Sequence, residues 1–159
     1  MNSRILGRTL GIVTITLALA TPATAQTARV VGVIDDYATA AGVPWQLAGE
    51  WSATLKATGT VDIVVSVSMK RPDPASPGAH THHIALTDGT VSVITGGYRI
   101  SGTASITSNG AAAGFSGSPV TFDVTGGAVV SLAKVGLTFG GAAIGHFGDQ
   151  PIEGVVVLR

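Results

Sequence analysis

The stretch WQLAGEWSATLKATGTVDIVVSVSMK, residues 45–70, alternates apolar with polar side chains. Trp45, Leu47, Gly49, Trp51, Ala53, Leu55 and Ala57 hold the odd positions, with Gln46, Glu50, Ser52, Thr54 and Lys56 between them. Successive side chains of a strand point to opposite faces, so a period of two predicts a strand with one buried face. Beyond a turn at Gly59 the pattern resumes, with Val61, Ile63, Val65, Val67 and Met69 set against Asp62, Ser66, Ser68 and Lys70. Two such strands joined at a glycine make a hairpin, and the class is all-β.

Further strands follow at residues 82–87, 90–95, 98–108, 120–125, 129–139 and 152–158, rich in Val, Thr and Ile. Asp88-Gly89 and Asn109-Gly110 favour the positive φ angles of tight hairpin turns, and Gly96-Gly97 and Gly126-Gly127 turn without steric cost. About eight strands with one apolar face must fold onto themselves, because an open sheet edge invites aggregation. The expected fold is a small antiparallel β-barrel, with a two-sheet β-sandwich as the alternative. Two regions depart from the strand pattern. Val30, Ile34, Tyr37 and Ala41 recur at helical spacing and predict a short helix in a lead-in segment, although the β-branched Val30, Val31, Val33 and Ile34 argue for a strand. Residues 71–79 carry Pro72, Pro74, Pro77 and Gly78 and read as an exposed loop.

Arg4 and Arg8 precede an apolar run, Leu10 to Ala20, and small residues Ala23, Thr24 and Ala25 follow it. That run is shorter than the ~20 residues of a membrane-spanning helix, so residues 1–25 read as a cleaved signal peptide. The organisation is then signal peptide 1–25, lead-in 26–44 and all-β domain 45–159, exported to the periplasm or the extracellular space, with no integral membrane segment. Losing Arg4 and Arg8 leaves seven basic side chains against nine acidic ones. The remaining basic residues are dispersed, which excludes a nucleic-acid partner. Absence of cysteine removes disulfides, thiolate metal ligands and a thiol nucleophile together.

Chemistry concentrates after the proline-rich loop, where His80, His82 and His83 lead into Ile84-Ala85-Leu86. If the strand extends back through them, His80 and His82 share a face with Ile84 and Leu86, while His83 points away. Two imidazoles at i and i+2 suit one borderline metal ion such as zinc, copper or nickel, with iron or manganese also in range. His146, in Gly145-His146-Phe147-Gly148-Asp149, is the candidate third ligand, with Asp149 or Glu153 as oxygen ligand or orienter. The His-x-His pair is similar to that of cupin barrels and of copper/zinc superoxide dismutases. Leu86 and Thr87 stand where cupins place a glutamate, however, and the dismutases' further histidines and paired cysteines have no counterparts. No family is assigned, and no catalytic residue is identified.

Other signatures are absent. Gly114-Phe115-Ser116-Gly117-Ser118 is not a nucleophile elbow, and Gly140 to Gly145 lacks dinucleotide-loop spacing and reads as a bend. Small residues at interior positions, among them Gly49, Ala53, Gly102, Ala104 and Gly136, leave room either for a ligand or for interdigitating neighbours. The leading expectation is a barrel that binds a small apolar or amphipathic ligand through Trp45, Trp51, His83 and Phe139. The alternatives are a metal-binding protein or metal-dependent enzyme using His80, His82 and His146, and a structural envelope protein without a small ligand.

Overall fold

In β3 (Val61–Lys70) the alternation is realised residue by residue: Val61, Ile63, Val65, Val67 and Met69 are buried, while Val64, Ser68 and Lys70 are exposed. The computed structural model describes residues 28–73, 75, 77–126 and 133–158. The expected signal peptide, and residues 129–132 of one expected strand, lie outside the described residues.

The chain runs up and down through β1 (Ala28–Ala40), β2 (Val43–Leu55), β3, β4 (His80–Ile94), β5 (Gly97–Ser108), β6 (Ala111–Ala112), β7 (Ser118–Thr125), β8 (Lys134–Phe139) and β9 (Ile152–Leu158). All pairings are antiparallel; β1 pairs with both β2 and β9, and the β4–β5 ladder closes the circuit. The result is a closed eight-stranded barrel rather than a sandwich, with β6 as a two-residue extra strand on β5.

Inward side chains fill the barrel. Leu47, Trp51, Val65, Ile106, Phe122, Leu137 and Ile152 form one continuous core, in which burying a single side chain of this size contributes roughly 1.5–3 kcal/mol. The small interior positions receive large neighbours. Gly32 faces Trp51 across the β1–β2 ladder, and a Cβ on Gly32 would stand 2.5 Å from the indole. Gly102 lies against Leu86, whose branch carbon would be 3.3 Å from an added Cβ. The void left among Ile63, Ile84, Phe122 and Leu137 is about 10 Å³, near the minimum for one water molecule.

Three expectations about elements are corrected. The short helix within 26–44 is instead β1, a full wall strand from Ala28, because the β-branched residues extend the backbone and the inward positions Ile34, Ala38 and Ala40 meet the core. Asp88-Gly89 is not a hairpin turn: β4 continues through it, and the register shifts between Leu86 and Thr90 as in a β-bulge. Asp88 takes φ +56° there, its N–H donates to Asp62 Oδ1, and Lys56 Nζ ties both carboxylates at 2.7 and 2.9 Å. The Gly140–Gly145 bend is a turn of 3-10 helix over Gly141–Ala143 that runs into α1 (Ile144–Phe147).

This helical segment covers the barrel end where β2, β4, β7 and β9 begin. Ala143 and Phe147 are buried beneath it. Its exit requires glycine: Gly148 has φ +88°, and a Cβ there would press to 2.7 Å from the Thr39 carbonyl of β1. At the same end the β1–β9 ladder stops at Ile34, and Asp36 Oδ2 accepts the Glu153 N–H at 2.7 Å instead.

Candidate metal centre

β4 begins at His80, as the proline-containing loop gives way to residues that pair with β3. Strand parity turns His82 inward above Ile84 and Leu86, and it is 2% exposed. His80, two residues earlier on the same face, is half-buried at the rim, and α1 lowers half-buried His146 onto both. His80 Nε2 lies 3.1 Å and His82 Nε2 2.8 Å from His146 Nε2. Among the described residues this is the one group of three or more metal-ligating side chains.

The outer nitrogens set the tautomers. His80 Nδ1 contacts the Gly78 carbonyl, and His82 Nδ1 lies 3.0 Å from the Thr107 carbonyl. A carbonyl only accepts, so Nδ1 carries the proton in each neutral ring and Nε2 presents a lone pair. His146 Nε2 has at most one proton to offer to these two lone pairs. One nitrogen–nitrogen contact is therefore unsatisfied unless a cation lies between the rings. The candidate ligand atoms all lie within 4.8 Å of one another, and a tetrahedral zinc with Zn–N bonds of ~2.0–2.1 Å, which spaces its nitrogens about 3.3 Å apart, would require the rings to adjust around it.

Electrostatics keep the cluster ready for a metal. Burial, reinforced by the neighbouring His146 and His80, pushes His82 down to about 4, against the opposing pull of the Thr107 carbonyl. Burial and the neighbouring His80 also lower His146. Both rings are thus held neutral at neutral pH, the form that ligates.

An aromatic wall surrounds the three rings. Phe115 stacks on His146 at 4.7 Å, Phe147 meets His82 edge-on at 4.9 Å, and Trp45 meets His80 edge-on at 5.3 Å. Hydroxyls brace the Phe115 turn: Ser118 Oγ donates to the Phe115 carbonyl, and Ser116 Oγ accepts the Ile106 N–H. Such packing restrains the orientations of the rings.

The other expected site residues are scattered. Phe139 lies one layer below the histidines, stacked on Phe147 at 4.0 Å. Trp51 is 3% exposed at mid-barrel, edge-on to Phe122 at 5.0 Å, and not at the mouth. His83 is exposed on the outer wall beside Ser66, as its opposite parity requires. Asp149 accepts from the Gln150 side chain, Glu153 donates its N–H to Asp36, and neither carboxylate joins the histidines. Sequence reading missed Phe115 and Phe147 as site residues; adjacency to His146 signalled Phe147, while nothing local signalled Phe115.

Comparison with protein-family models, curated proteins and solved structures finds no match. The reading of function therefore rests on the site geometry.

Proposed function

We propose that the protein is a metal-binding β-barrel whose His80, His82 and His146 hold one borderline divalent cation, with zinc or copper favoured over nickel, iron and manganese. The observation that carries this reading is the convergence of three Nε2 atoms, two of them set as lone-pair donors by carbonyls on the opposite ring nitrogen. Neutral imidazoles suit these ions, and a three-nitrogen tripod leaves a fourth position for water or a ligand. An apolar ligand inside the barrel would instead have to displace Trp51 or Leu86 from the core.

Two features support a protein exported into water. The N-terminal basic residues, short apolar run and small-residue site favour export. The outward positions carry Asp62, Ser66, Ser68, Lys70 and the Arg99–Asp123 pair interspersed with exposed apolar residues such as Val93 and Val157, a mixed exterior around an apolar interior rather than the polar lumen and apolar band of a lipid-facing barrel.

Elemental mass spectrometry of the untagged protein, exported through its own N-terminal segment, tests the proposal. One zinc or copper per chain is expected, with loss of at least about 100-fold in affinity for a His80→Ala/His82→Ala variant. Metal-free wild-type protein that also fails to take up zinc or copper in equilibrium dialysis would overturn it.

A further inference from the structure

A shallow groove of about 170 Å³ opens beside His146, lined by Ala41, Val43, Trp45 and Arg71. The Arg71 guanidinium lies over the Trp45 indole, 4.2 Å from the ring centroid, and the same indole meets His80 edge-on. Stacking occupies the face of a guanidinium and leaves its in-plane N–H fork free, the geometry that takes a carboxylate through two parallel hydrogen bonds. Among the described residues, ion pairs engage Lys56 and Arg99, and none engages Arg71. The indole thus holds a cation in place without neutralising it.

We infer that this groove binds a small aromatic or aliphatic carboxylate. The carboxylate pairs with the Arg71 fork, and the apolar body lies along Val43 and Ala41. His146 lines the same groove, so the bound molecule sits beside a proposed metal ligand. The inference rests on the trihistidine reading only for that neighbouring metal; the anion site is built from Arg71 and Trp45 themselves.

Calorimetric titration of the zinc-treated protein with benzoate, and with uncharged benzamide as its isostere, tests this. Benzoate is expected to bind at least about tenfold more tightly than benzamide, the worth of a charge-assisted pair. Arg71→Gln should abolish that preference, Arg71→Lys should retain part of it, and zinc content should stay unchanged in both variants. Equal benzoate affinity in wild type and Arg71→Gln, or equal affinity of wild type for the two probes, would overturn the inference and leave the metal reading standing. Arg71-dependent benzoate binding in protein that takes up no zinc would uphold the groove while removing the metal reading.

Discussion

His82 is a buried base whose packing against Phe147 favours its neutral form, the form the proposed metal role also requires. Burial holds its folded-state value at about 4, below the ordinary 6.5 of a free histidine. Between those values the unfolded chain takes up a proton that the folded chain refuses, so acid favours unfolding. Metal-free protein should hold its full stability above about pH 6.5 and lose up to about 3 kcal/mol of it by about pH 4, levelling off below. Urea titrations across that range check this, and His82→Leu should flatten the slope. At this scale the sequence was partly legible. The i, i+2 spacing announced that His80 and His82 share a face, and a period of two placed His83 opposite. That His146 completes the set depends on α1 folding back over the barrel, a tertiary event with no local signature.

Elements declared themselves where one face alone is buried. β3 alternates cleanly because one side meets the core and the other meets water, whereas on β2 only Leu47 and Trp51 are fully buried and Leu55, expected on the buried face, is exposed near the strand end. β1 misleads, since Gly32 stands at an inward position that Trp51 fills from the neighbouring strand, and its remaining apolar residues fall by coincidence at helical spacing. The bulge at Asp88 imitates a hairpin turn for a related reason: Asp-Gly supplies positive φ to either structure, and the Asp62–Lys56 network that keeps β4 running is remote in sequence. α1 is held by Gly148 more than by its own four residues, which are too few to form a stable helix alone. Gly148→Ala should therefore shift His146 and weaken zinc binding about tenfold while leaving the far-ultraviolet circular dichroism of the barrel intact. Dialysis and dichroism on the same sample separate the two effects.

For the whole molecule the sequence foretold the class and the need to close, and its count of eight strands came right because the missed β1 offset a β4 divided in two; the closing partner was not foretold. A ligand bound only by the folded state stabilises it by mass action. Zinc at about 100 times its dissociation constant should raise the melting temperature by roughly 10 °C, a shift that calorimetry of His80→Ala/His82→Ala should lack. Closure carries a further consequence. Seven of the eight ladders around the barrel join successive wall strands along the chain, with only the two-residue β6 between β5 and β7, whereas the eighth brings Val31–Ile34 of β1 to Gly154–Leu158 of β9. Chain-entropy costs rise with the length of the loop closed, so the local hairpins assemble first and this seam zips last. His146, on α1 between β8 and β9, lies 64 residues beyond His82 in the chain and meets it only through the tertiary fold. A cation held by the proposed trihistidine set would accordingly join a barrel already built, as a guest of the fold and not its nucleus.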